Sequence, residues 1–143
     1  MKKILIVDDE MFIVEVLKDT LQENGYEVLI AMDGMQGTMQ AVKNKPDLIL
    51  LDISMPAGGG MSVYNRLKQS VETQAIPVIF MSAMPPADLV QKVPDDATVF
   101  HKPFKQKDLL AAVKDESALA FRTASRRVVT QLGSAHAPSG KGL

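Results

Sequence analysis

The sequence predicts an α/β fold, a single domain in which a five-stranded parallel sheet carries helices on both faces. Short apolar runs rich in β-branched residues recur at positions 4–7, 28–30, 48–51, 78–81 and 99–100. Most are continuously apolar rather than alternating, as strands covered on both faces are. Stretches with helical spacing separate them, and parallel neighbours require such crossovers.

The elements follow in order. After the first strand, Phe12, Ile13, Val16, Leu17 and Leu21 trace one helical stripe, and Gly25 stands where a left-handed stop is needed. The second helix opens at Asp33, with Gln36 at the spacing of a capping box. A third is expected over 61–72, with Val63, Tyr64, Leu67 and Val71 on one side. Gly58, Gly59 and Gly60 ahead of it lack the spacing of a nucleotide fingerprint and read as a flexible loop. A fourth, short helix starts at Pro86 and ends before Pro94, and the last is expected to end near Asp115.

Composition narrows the chemistry. The 143 residues fit one domain, and a chain of this size buries ~68% of its unfolded surface without a staple. Absence of Cys removes thiolate metal sites, thiol nucleophiles and disulfides. Two histidines, His101 and His136, leave little for a zinc site or a Ser-His-Asp triad. Sixteen basic against 17 acidic residues argue against direct nucleic-acid binding, and the nine Met residues are read as core filler. No apolar run approaches the ~20 residues that span a bilayer, and the N-terminus turns charged too soon for a signal peptide, so a cytoplasmic protein without membrane contact is expected.

In open parallel sheets ligands bind at the carboxyl ends of the strands. Those ends collect Asp8 and Asp9 after the first strand, Asp52 after the third, Ser82 after the fourth and Lys102 after the fifth. Like charges ~5 Å apart cost ~3 kcal/mol per pair at an effective dielectric near 20, so three carboxylates call for a cation or protonation. Oxygen donors without His or Cys suit Mg2+. An aspartate beside such an ion can be a nucleophile toward phosphorus, with the lysine and the hydroxyl serving phosphoryl oxygens. Simpler readings exist for each residue alone: Asp8 and Asp9 suit a helix N-terminus, Asp52 and Ser82 suit turns, and His101 is read as an exposed strand-end residue.

The segments ILIVDDE, LILLDISMP, VIFMSA and HKPF, in this order and spacing, resemble the receiver domain of two-component response regulators over roughly residues 1–115. The resemblance implies a flavodoxin-like sheet of order 2-1-3-4-5, the order the family's chemotaxis member exemplifies. It implies Asp52 as phosphoacceptor from a histidine kinase or phosphotransfer protein. Asp9 then resembles the direct Mg2+ ligand, Asp8 the acid acting through metal-bound water, and Ser54 a backbone-carbonyl ligand. Ser82 resembles the hydroxyl that moves toward the phosphoryl group. Lys102 resembles the phosphate-binding lysine, followed by Pro103 in what is typically a cis peptide. The implied function is a phosphorylation-activated switch of protein–protein contacts, not an enzyme beyond its own phosphotransfer and dephosphorylation. Its downstream target is a protein, with room for a weak homodimer.

The sequence departs from the family where an aromatic residue usually stands three positions before the lysine. Here Val99 takes that place, and alternation sends Phe100 to the opposite face. With the short fourth helix, this predicts a nonstandard output surface. Met84, two residues after Ser82, is expected to hinder the hydrolytic water. Residues 116–143 are expected to form a helical extension to Gly133 and then a disordered tail, with no output domain. Arg122, Arg126 and Arg127 there are read as a solvated face. Two other functions compete: a receiver-like scaffold independent of phosphate, and a Mg2+-dependent aspartyl-phosphate phosphatase. The latter needs a carboxylate two residues after its nucleophile, where Ser54 stands.

Overall fold

A computed structural model describes residues 1–55 and 59–118. The chain runs β1 (Lys3–Val7), α1 (Met11–Glu23), β2 (Glu27–Ala31), α2 (Gly34–Asn44), β3 (Leu48–Asp52), α3 (Gly59–Gln69), β4 (Val78–Ser82), α4 (Pro86–Leu89), β5 (Thr98–His101) and α5 (Gln106–Ala118). All strand pairs are parallel and the order is β2-β1-β3-β4-β5, the flavodoxin-like order expected. The expected tail beyond residue 118 lies outside the described residues, as does the first glycine of the triplet, Gly58. Among the described residues no helix is long and apolar enough to cross a membrane.

The strands sort their side chains by parity. Leu5, Val7, Ile49, Leu51, Phe80 and Val99 pack with Ala41 of α2, Val63 and Leu67 of α3, and Leu89 of α4. Ile4, Ile6, Leu48, Leu50, Ile79, Met81 and Phe100 pack on the other face with Val14 and Leu17 of α1 and Leu109 and Val113 of α5. Successive residues of a strand point to opposite faces, so an unbroken apolar run feeds both layers at once.

Local signals place the helix ends. Asp33 accepts the Gln36 N–H at 2.8 Å, and the Gln36 side chain returns to the Met32 N–H at 3.1 Å. Gly25 has φ +90°, the left-handed conformation expected of a stop. Other details differ from expectation. Phe12 is 71% exposed whereas Val14 is fully buried, because the stripe that includes Ile13, Leu17 and Leu21 continues through Val14 and leaves Phe12 on the outer side. Val71 is exposed because α3 ends at Gln69, before reaching it. His101 is half-buried rather than exposed.

Gly59 and Gly60 are not loop but the buried first turn of α3. Gly59 has φ +53°, and a Cβ on Gly60 would lie 2.5 Å from the Asp52 carbonyl oxygen and 2.9 Å from the Ile53 Cα. Only a residue without a side chain lets α3 start so close to the end of β3. At Gly34, by contrast, a Cβ would meet only the Val63 Cγ2, at 3.0 Å. Gly60→Ala is therefore expected to destabilise the fold by about 3 kcal/mol or more, and Gly34→Ala by clearly less, in urea unfolding followed by circular dichroism.

Candidate functional site

The parallel register delivers the carboxyl ends of β1, β3, β4 and β5 to one rim, and the polar residues of the sequence lie along it. Asp8, directly after β1, is fully buried, and its N–H donates to the Ala31 carbonyl at 3.1 Å. Asp52 closes β3 and is 2% exposed. Ser82 closes β4 and is fully buried. Lys102 follows β5, its N–H donating to the Ser82 carbonyl at 2.7 Å, and its peptide bond to Pro103 is cis.

The Lys102 ammonium lies among three carboxylates. Its Nζ is 2.6 Å from Glu10 Oε1, 3.0 Å from Asp8 Oδ2 and 3.3 Å from Asp52 Oδ2. The second oxygens of Asp8 and Asp52 meet backbone donors: the Glu10 N–H reaches Asp8 Oδ1 at 2.9 Å and the Ser54 N–H reaches Asp52 Oδ1 at 2.8 Å. Beside them stands a hydroxyl pair, Ser54 Oγ and Ser82 Oγ, 3.3 Å apart. Each also accepts a backbone N–H, from Ala83 at 3.1 Å and from Met84 at 2.9 Å respectively.

The structure thus brings together Asp8, Asp52, Ser54, Ser82 and Lys102. It places Asp9 differently: Asp9 is exposed and lines a neighbouring depression with Asp33, Ser62 and Arg66. The tight acidic group is instead Asp8, Glu10 and Asp52, with ligand-capable oxygens within 4.8 Å of one another. The cause is backbone geometry. The chain bends at Asp9, and the Glu10 N–H closes a turn on Asp8 Oδ1 at 2.9 Å, which sets residue 10 beside residue 8 and leaves Asp9 exposed. Glu10 did not emerge from the sequence as a site residue. Its signal was present in the unbroken acid run of residues 8–10, where an Asp side chain can accept the N–H two residues on and turn the chain back.

Charge is out of balance here. Burial, with the charge of Asp52, pushes the Asp8 carboxyl up from 3.8 to about 6, although the Glu10 N–H and Lys102 act in the opposite sense. Burial also works against the Lys102 ammonium. Its hydrogen bond to Glu10 and the charges of Asp52 and Asp8 outweigh that and hold its pKa above the ordinary lysine value. One ammonium does not neutralise three acids, and a set of carboxylate oxygens with residual negative charge fits a hard divalent cation such as Mg2+.

The raised Asp8 pKa fixes a sign. The folded state holds this proton more tightly than the unfolded chain does, so stability falls as pH rises from about 4 to about 6 and the full cost of the charge stands above that range. In a metal-chelating buffer, Asp8→Asn is expected to raise stability by up to about 3 kcal/mol near neutral pH. That gain should shrink toward pH 4 in thermal melts of the two proteins.

On the opposite face from Phe100, the aromatic surface beneath α3 comes from Tyr64 and Phe80, with ring centroids 5.1 Å apart. Val99, the register partner of Phe80, is 1% exposed. Phe100 stacks edge-on against Phe104 at 5.5 Å in the other layer, as alternation requires.

Comparison with known proteins agrees with this fold. Residues 4–114 match the response regulator receiver domain. The chain is 35% identical over 115 residues to sporulation initiation phosphotransferase F of Bacillus subtilis, covering 79% of this chain and 91% of that protein. It is 37% identical over 125 residues to the DNA-binding dual master transcriptional regulator RpaA of Synechocystis sp., covering 86% of this chain and 51% of that one. It thus spans about half the length of that relative. The chemotaxis protein CheY4 of Vibrio cholerae matches with a TM-score of 0.74 at 27% identity, over 80% of this chain and 98% of that structure. The signal receiver domain of a histidine kinase from Syntrophus aciditrophicus matches at 0.76 and 30% identity, over 90% and 99% of the two chains. Since the match runs from the first strand into the last helix, the chain belongs to the response regulator receiver domains of two-component systems.

Proposed function

We propose that the chain is a phosphorylation-activated switch whose phosphoacceptor is Asp52, charged by a sensor histidine kinase or a phosphotransfer protein in the cytoplasm. The observation that carries this reading is the buried Asp52 carboxylate at the end of the central strand, with the Lys102 ammonium at 3.3 Å and the Ser54–Ser82 hydroxyl pair alongside. Asp8 and Asp52, grouped with Glu10, would hold Mg2+ together with the backbone carbonyl of Ser54; the resemblance adds Asp9, exposed in this structure, as the direct ligand. Neutralisation of charge between the Asp52 carboxylate and the phosphoryl oxygens is what bound Mg2+ supplies.

The chain's own residues do the rest. Asp52 Oδ1 is held by the Ser54 N–H, so the carboxylate presents a fixed face to the donor. A carboxylate oxygen forms the O–P bond as the P–N bond to the donor imidazole breaks, and the imidazole nitrogen keeps the bonding electrons. Lys102 turns its ammonium toward the transferred group, and Ser82, now tied to the Met84 N–H, becomes a donor to it. The phosphoryl group carries ~1.5 to 2 negative charges in place of the one on the Asp52 carboxylate; the gain is local, and the exchange of partners at Ser82 carries it to the start of α4, where a downstream protein would read it. Ser54 offers no carboxylate two residues after Asp52, so a phosphatase acting on other aspartyl phosphates is the weaker reading.

Intact-mass measurement after acetyl phosphate and Mg2+ tests the assignment. Wild type is expected to gain one phosphoryl group and Asp52→Asn none; a gain retained by the mutant would place the acceptor elsewhere. The Met84 N–H donates to Ser82 Oγ, which sets a bulky apolar residue on the loop flanking the proposed phosphoryl position, its half-buried side chain packed against the core. Met84→Asn is therefore expected to shorten the lifetime of the phosphorylated form about threefold or more, read as loss of the added mass after donor removal.

A further inference from the structure

The three N–H donors of the Lys102 ammonium meet three carboxylate partners. When Asp52 is phosphorylated its own carboxylate charge is lost, and the Lys102 ammonium must move outward from that oxygen to the phosphoryl oxygens, which it can do only as its other partners follow or let go. The three are not equivalent. The side chains of Asp8 and Asp52 are 0% and 3% exposed, whereas that of Glu10 is 56% exposed. A carboxylate that leaves an ammonium while buried stays desolvated at high cost, but an exposed one is rehydrated as it swings away. Yet Glu10 makes the shortest of the three contacts, 2.6 Å. Its backbone cannot follow the side chain: its N–H is held by Asp8 Oδ1 and its carbonyl accepts the Val14 N–H at 3.0 Å. Rotation of the side chain alone breaks the contact.

We propose that Glu10 is a positioning residue whose carboxylate restrains the Lys102 ammonium in the unphosphorylated protein and gives it up when a phosphoryl group arrives on Asp52. This rests on the assignment of Asp52 as phosphoacceptor. Glu10 thereby sets how readily the chain is phosphorylated, by competing with the phosphoryl oxygens for one donor.

The test uses the full chain. With saturating Mg2+ and acetyl phosphate, phosphorylation followed by intact mass is expected to be roughly two- to fivefold faster in Glu10→Ala than in wild type. Glu10→Gln should lie between them, since its amide oxygen still accepts from Lys102 but carries no charge. Glu15→Gln removes the same charge one turn further along α1, where Glu15 pairs only loosely with Lys18 at 3.6 Å, and should phosphorylate at the wild-type rate. A metal-free readout accompanies it: with a chelator and no phosphate donor, hydrogen exchange of the Lys102 ammonium, followed by 15N NMR, should be at least about twofold faster in Glu10→Ala than in wild type. Equal phosphorylation rates or equal exchange in those two proteins would overturn the restraint while leaving Asp52 as the acceptor. Equal acceleration by Glu15→Gln would reduce the effect to net charge and overturn it too. Absence of any mass gain in every protein would remove the phosphoacceptor assignment and the restraint together.

Discussion

Two carboxylates, Asp8 and Asp52, are withdrawn from water around a single ammonium, and the architecture of the rim answers to that imbalance. Burying an unpaired charge is among the costliest things a fold can do, so each oxygen is given a partner. Backbone N–H groups of Glu10 and Ser54 take one oxygen of each acid, and Lys102 takes the other. The supply is still short by charge, which adds to the burial that pushes the Asp8 carboxyl up to about 6 and is why a divalent cation suits the place. A site that is incomplete by its own electrostatics is poised to respond to an added ion or an added anion.

The packing around the rim serves the same end. A parallel sheet aligns every strand's carboxyl end on one edge, and the glycine start of α3 brings that helix against the Asp52 carbonyl. The loops after β3 and β4 are joined through Ser54 and Ser82, so a change at Asp52 has a short route of hydrogen bonds to the chain ahead of α4. Val99 shares its layer with Tyr64 and Phe80, and the route from Asp52 to the chain ahead of α4 runs through hydroxyls and backbone.

Much of this was legible in the sequence because it depends on short-range rules. Short apolar runs marked all five strands, the Asp33–Gln36 spacing marked a cap, and Asp8, Asp52, Ser82 and Lys102 fell on one rim once the strands were taken as parallel. What escaped depended on facts a linear pattern does not contain. Phe12 reads as core by composition, but its exposure depends on where the first turn of α1 begins. Gly59 and Gly60 read as slack, and only the proximity of β3 shows them to be the condition for close approach. Glu10 was hidden by Asp9: the family pattern favours the adjacent acid pair, whereas the turn closed by the Glu10 N–H on Asp8 Oδ1 sets residue 10 beside residue 8. The pairing of α1 with α5, including Thr20 with Gln106, joins residues 86 positions apart and has no local signature.

The sorting of strand side chains by parity has a bearing on how such a chain can change over generations. Leu5, Ile49 and Val99 belong to the layer of α2, α3 and α4, while their sequence neighbours Ile4, Leu48 and Phe100 belong to the layer of α1 and α5. No side chain of the sheet serves both layers, so a volume change in one core is absorbed by one set of helices. The two outer surfaces can therefore drift toward different binding partners separately, each tracking its own, while the backbone between them keeps the acid rim in register.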